Sequence, residues 1–352
     1  MKTTEASVQD WIANLPKVEL HLHLEGAIPW PALWELIRKY GGDPEISEAS
    51  ALEQKFRYRD FPHFIETWRW KNGFLREYED FTHIASSVAE DLARQNIRYV
   101  EAFYSPGDFA HHGLDAQRLT EAIRDGLRTQ EDRIRVHLIA DLVRDYGPEQ
   151  GMKWLHEISE VQSLGVIGIG IGGSEQKFPP EPYREVYEEA RRSGLRTMAH
   201  AGEAAGAGSI WGAIRTLKVD RIGHGTRAIE DPNLVQYLKE NQTPIEMCPV
   251  SNLRTGVIAR LEDHPIQRFY EEGLLVSVHT DDPKMFNTTL AAEYQALADQ
   301  LRLSPEDIVR LVENAIRSAW CDDKTVNALT EELRKAALPG PSRPPGEGIQ
   351  RR

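Results

Sequence analysis

His21 and His23 lie two residues apart in an apolar run. Residues with that spacing in a strand point to one face, so both imidazoles can reach a single metal ion. Taken alone, the pair is also what packing or a solvated strand would give. Three later segments extend the pattern: His200-Ala201-Gly202-Glu203, Gly223-His224-Gly225 and His279-Thr280-Asp281-Asp282-Pro283. Together they set histidines and carboxylates beside small residues that let a ligand approach closely. Such groups suit a metal held by nitrogen and oxygen, next to a carboxyl that can give or take a proton.

For these residues to act together, the chain must bring them to one place. Short apolar runs at 18–25, 97–105, 135–143, 166–173, 196–203, 221–226, 244–252 and 275–283 read as strands. Several are nearly continuous in apolar or small residues, as parallel strands covered on both faces are. The spacers read as helices. Over 80–95, Phe81, Ile84, Val88 and Leu92 fall on one helical face. Asp231-Pro232 and Ser304-Pro305 are helix starts, and Gly194 and Gly273 are helix stops placed just before strands. Eight alternations of strand and helix predict an α/β fold of the closed (β/α)8 type over residues 1–337. An open, doubly wound sheet is the alternative that periodicity alone leaves standing. In a barrel the active site gathers at the C-terminal ends of the strands, and all four segments fall there. Residues 26–96 exceed what one connecting helix needs, so a helical insertion is expected after the first strand. The Pro- and Gly-rich tail 338–352 is expected to lack order.

The chain of 352 residues carries 42 Lys and Arg against 55 Asp and Glu, a formal net charge of −13. That balance, with no dense basic run, argues against a nucleic-acid partner. Cys248 and Cys321 are the only cysteines, which excludes a disulfide framework and a cysteine-ligated zinc site. No secretory pattern opens the sequence and no apolar run has membrane-spanning length, so a cytoplasmic protein without a membrane partner is expected.

PKVELHLHLEG, HAGE, GHG and TDDP, in that order, resemble the adenosine deaminase family of the amidohydrolase superfamily. The motifs span residues 16–283. The resemblance implies one Zn2+ bound by His21, His23, His200 and Asp281, and a 6-aminopurine as small-molecule substrate. It implies Glu203 as the acid that protonates purine N1, His224 beside the water on the metal, Asp282 at N7 and the Gly173 N–H at N3. It places Glu246 where it orients a histidine behind the metal, and it puts His23 and Glu25 beside the substrate. The chemistry of each residue agrees. Zinc lowers the pKa of a bound water to about 7, so hydroxide can reach C6 at neutral pH. A buried Glu203 stays protonated more easily, and Asp281 has one oxygen for the metal and one for a proton. The P-C-x-x-C element of cytidine-type zinc deaminases is absent. The fourth strand, VIGIGIGG, has no lysine to bridge two metals, which favours a single ion.

The remaining features are less specific. His279 is expected to pack or hydrogen-bond behind the ligands, and Cys248 to be structural. His111 and His112 read as a solvent-exposed loop. Phe56, Tyr58, Phe61, Phe64, Trp68, Trp70 and Phe74 either form the insertion's own core or present Phe64 and Trp68 to the substrate. Members of the resembled family that act on adenosine carry HLDG in the first motif. Glu25 here resembles members acting on adenine or on 5′-modified adenosines, whereas PKMFNTTLAAEY after Asp282 is similar to nucleoside-type members. An adenosine-type nucleoside, ordinary or 5′-modified as in 6-aminodeoxyfutalosine, is the expected substrate, with free adenine second. Another metal hydrolase on the same barrel, or a binding protein that kept the fold, are the more distant readings.

Overall fold

A computed structural model describes residues 7–337. The predicted tail, 338–352, lies outside the described residues. The strands are β1 Lys17–His23, β2 Ile97–Tyr104, β3 Arg135–Asp141, β4 Val166–Gly170, β5 Arg196–Ala201, β6 Arg221–His224, β7 Ile245–Met247 and β8 Val276–Val278. They pair in chain order, every pair parallel. The sheet closes on itself through backbone bonds just past β8. The Asp281 N–H donates to His21 O at 2.9 Å, and the His23 N–H donates to Asp281 O at 2.8 Å. This seam decides for the (β/α)8 barrel over the open sheet.

The helices form for the reasons their sequences suggest. Phe81, Ile84, Val88 and Leu92 are buried along the helix Tyr78–Arg94. Asp231 caps Pro232–Asn241 through the N–H of Asn233, and Ser304 with Asp307 forms a capping box on Pro305–Ser318. Between β1 and Tyr78–Arg94 the chain adds the helices Trp30–Lys39, Leu52–Lys55 and Phe61–Asn72.

The observed strands are shorter than the apolar runs. β1 ends at His23 because Leu24 turns into helical backbone and begins the 3-10 turn Glu25–Ala27. β7 and β8 keep three residues each. The difference matters for chemistry: Glu203, Asp281 and Asp282 stand in the loops just beyond the strands, at the barrel rim. Below them Phe103, Ile139 and Met198 form a buried apolar cluster inside the barrel. Phe103 packs beneath His21 and His23, with ring centroids 5.0 and 5.1 Å apart.

Candidate active site

β1, β5, β6 and the loop after β8 bring His21, His23, His200, His224 and Asp281 together. His21 Nε2 lies 2.9 Å from His200 Nε2, and His23 Nε2 lies 3.2 Å from the same atom. Asp281 Oδ1 is 3.3 Å from His23 Nε2 and 3.6 Å from His21 Nε2. All five residues are buried. Gly223 leaves the room this requires, since a Cβ there would stand 2.8 Å from His21 Cε1. Among the described residues, His21, His200, His224 and Asp281 offer ligand atoms that all lie within 4.8 Å of one another. The set inferred from the sequence has His23 in place of His224, and His23 stands close enough to His200 and Asp281 to serve as well.

Electrostatics at this cluster fit a cation. Burial, reinforced by neighbouring imidazoles, pushes His21 and His200 well below the ordinary histidine range, leaving neutral rings with lone pairs to offer. Burial acts on His23 in the same sense. There it is outweighed by the hydrogen bond to Asp281 and the charges of Asp282, Asp281 and Asp141, which hold the group at about 10. An excess of carboxylate thus favours positive charge at that point, whether proton or metal. Asp281 resists its own burial and stays below the usual carboxylate range, held there by His23, His224 and His21. Its Oδ2 accepts from Ser251 Oγ at 2.6 Å, which leaves Oδ1 turned to the histidines.

The proton-carrying groups surround this cluster. Glu203 is pushed well above its ordinary value by burial, then by Asp281 and Glu175. Asp282 is raised likewise by burial and Asp281. Its Oδ1 is buried with no hydrogen-bond partner. A carboxyl held neutral in this way can donate to a ring nitrogen. His224 Nε2 is also buried without a partner, 3.6 Å from Glu203 Oε2 and 3.9 Å from Asp281 Oδ2. The backbone is left-handed at His224 and Asp281, with φ of 61° and 63°. Such backbone in non-glycine residues gathers where function constrains geometry.

A cavity of about 470 Å³ opens from the cluster to the surface. His23, His200, Glu203, His224, Asp281 and Asp282 line it together with Gly172, Gly173, Phe64, Ile65 and Trp68. The aromatic cluster therefore divides. Phe64 and Trp68 face the cavity, and Trp68 stands edge-on to His23, whereas Trp70 packs on Phe74 inside the insertion. His111 is exposed and also lines the cavity. Cys248 is buried and its thiol is pushed far up by burial, in keeping with a structural part. His279 is held by Glu19, Nδ1 to Oε1 3.1 Å, and by Ser277.

Two of the expected residues stand outside the cavity lining. Glu25 does not line the cavity: its carboxylate turns inward, accepts the Ser105 N–H at 2.9 Å, and stays buried beside Lys71. Asp282 fills the space over Gly26, where a Cβ would collide with its side chain. Glu246 orients His21, itself a candidate ligand, through Oε2 to Nδ1 at 2.8 Å, and no histidine further back. Arg221 holds the other oxygen of Glu246 at 2.5 Å.

Several supports carry no motif in the sequence reading. Glu175, buried, accepts the backbone N–H groups of Gly202, Glu203, Ala204 and Ala205 at 2.6–3.1 Å, and so fixes the loop bearing Glu203. Arg144, also buried, donates to the carbonyls of Ile171, Gly172 and His200, tying β5 to the end of β4. A carboxylate two residues after the glycine pair of GIGIGGSE is the one available signal for Glu175.

The adenosine deaminase family model matches residues 16–336. Aminodeoxyfutalosine deaminase of Streptomyces avermitilis is 31% identical over 323 residues, covering 91% of this chain and 90% of the relative. Adenine deaminase of Crocosphaera subtropica is 32% identical, covering 88% and 95% respectively. Among solved structures, adenine deaminase from Arthrobacter aurescens matches with a TM-score of 0.87 at 29% identity, covering 91% of this chain and 98% of its own. An amidohydrolase from B. ambifaria with bound Zn matches at 0.86 and 26% identity, over 96% of each chain. With the barrel, the cluster of imidazoles and carboxylate suited to a metal, and this likeness over nearly its whole length, the chain belongs to the adenosine deaminase family and is a hydrolytic deaminase of adenine-type substrates.

Proposed function

We propose that the enzyme removes the 6-amino group of an adenosine-type nucleoside extended at its 5′ end, with 6-aminodeoxyfutalosine the model substrate, yielding the 6-oxo product and ammonia. The observation that carries this reading is the cavity. Its 470 Å³ is lined by Phe64, Ile65, Trp68, Val143 and Tyr146 besides the residues of the cluster, more room than a bare purine fills. The S. avermitilis relative bears the name of that activity. A nucleotide is disfavoured, because Asp108, Asp141 and Asp145 line the cavity with Arg69 as the opposing arginine.

In this reading His21, His23, His200 and Asp281 hold one zinc ion, whose contribution is to make hydroxide available near neutral pH. Glu203 delivers a proton to N1, drawing electrons away from C6. Asp282, kept protonated, donates to N7, and the Gly173 N–H donates to N3. The three contacts orient the ring, so the geometry discriminates a 6-aminopurine by its pattern of acceptors. His224 donates toward the oxygen arriving at C6, where charge develops.

Free adenine is the second reading, favoured by the C. subtropica relative and the A. aurescens structure. Ammonia release by zinc-loaded enzyme given adenosine, adenine and 6-aminodeoxyfutalosine in parallel separates them. A higher kcat/KM on the extended nucleoside is expected; a preference for adenine overturns the nucleoside reading.

A further inference from the structure

His224 carries a hydrogen-bonding chain on its far side. The backbone N–H of Ile266 meets His264 Nδ1 at 3.2 Å. A backbone amide can only donate, so His264 Nδ1 must accept, and the ring's hydrogen sits on Nε2. His264 Nε2 lies 3.1 Å from Asn252 Oδ1, which also accepts from Thr226 Oγ1 at 2.9 Å. The amide of Asn252 is thereby oriented by two donors, and its nitrogen points the other way, to His224 Nδ1 at 3.1 Å. Turning the amide over would set its NH2 against the His264 N–H. An amide nitrogen only donates, so His224 Nδ1 accepts, and the hydrogen of a neutral His224 is on Nε2.

We propose that Asn252 and His264 are positioning residues that fix His224 as the Nε2–H tautomer, so that it enters the site as a hydrogen-bond donor and not as a metal ligand. A ligand needs a lone pair on the nitrogen that faces the metal, and here that nitrogen holds the hydrogen. The tautomer agrees with the ligand set that the family resemblance implies, in which His224 stands beside the metal and does not bind it. Three further observations agree. His224 Nε2 is buried without a partner and turned toward the cluster. Asn252 is fully buried and His264 nearly so. Burial lowers His264 to about 3, so it keeps the single hydrogen the argument assigns to it. The inference rests on the proposed reaction only for the destination of the donated hydrogen; the tautomer itself follows from the hydrogen bonds.

The test is 15N-histidine NMR on the zinc-loaded protein, in the wild type and in two variants. In the wild type, His224 Nδ1 is expected in the unprotonated, pyridine-like range. Asn252→Asp replaces the donor with a carboxylate of the same shape, and His224 Nδ1 is expected to move to the protonated range. His264→Gln keeps an N–H aimed at Asn252 Oδ1, so His224 Nδ1 is expected to stay unprotonated. A protonated Nδ1 in the wild type overturns the proposal, as does an Asn252→Asp variant whose Nδ1 remains bare. Should Asn252→Asp not fold, the wild-type and His264→Gln spectra decide. None of these readings depends on which purine the enzyme turns over, so a failure here is separate from a failure of the substrate assignment.

Discussion

At the scale of single residues, the chemistry turns on carboxyl groups that the fold keeps from ionising. Glu203 is raised by burial, Asp281 and Glu175, so its proton is held above the ordinary carboxylate range and is lost as pH rises through that elevated value. The alkaline limb of kcat/KM is therefore expected to follow this group. Glu203→Gln should lower kcat by about 10²–10⁴-fold while leaving bound metal unchanged, as turnover and metal content together will show. Full turnover in that variant would remove Glu203 from the reaction. Removing the metal with a chelator should abolish turnover and also lower the melting temperature. A ligand present at 100 times its Kd stabilises by about 2.7 kcal/mol, provided it binds only the folded state. An unchanged Tm on chelation would mean that the cluster of His21, His200 and Asp281 holds no structural ion.

At the scale of elements, the loops after the strands need holding as much as the residues on them. Glu175 offers two oxygens to four N–H groups of the loop 202–205. Glu175→Gln keeps the shape but leaves one carbonyl for those donors. It should cost about 1–3 kcal/mol and speed amide exchange at 202–205, measured by denaturation and hydrogen exchange. Trp68 on the helix Phe61–Asn72 donates to Asp108 at 2.9 Å and covers the Lys71 ammonium at 4.2 Å. Losing this wall by Trp68→Ala should raise KM for a nucleoside about 10-fold with kcat little changed. Equal losses in kcat would move Trp68 from binding to chemistry. This is also the scale that marks how far the sequence could be read. His21 and His23 were legible because a spacing of two survives in any strand, and His200 and His224 because a strand end carries them. The direction of Glu25 was not legible because the chain turns at Leu24, and no alternation reveals a turn that redirects a side chain. Arg144, Asn252 and His264 escaped because their partners are backbone groups or side chains from distant elements, which leave no local pattern.

At the scale of the whole molecule, the buried interior holds ionisable groups as well as apolar surface. Glu293 is buried, accepts from Val250 N–H and Thr288 Oγ1 at 3.0 Å each, and has its pKa raised to about 8 by burial. The folded state then binds a proton that the unfolded state releases near pH 4.5. Stability from this group is present at acid pH and is lost as pH rises through about 8. Glu293→Gln should consequently gain on the wild type between pH 5 and pH 9 (roughly the span of that titration), and thermal melts at both ends will measure it. A constant difference would mean Glu293 ionises in the fold as it does in the open chain. The seam between β1 and the residues past β8 carries a consequence for how the enzyme is made. His21 and His23 leave the ribosome first, and Asp281, bonded to both of their backbones, follows some 260 residues later. A nascent chain cannot bring His21 and His23 against Asp281 until that residue has been made, so under the proposed ligand set metal uptake doubles as a signal that the ring of strands has shut.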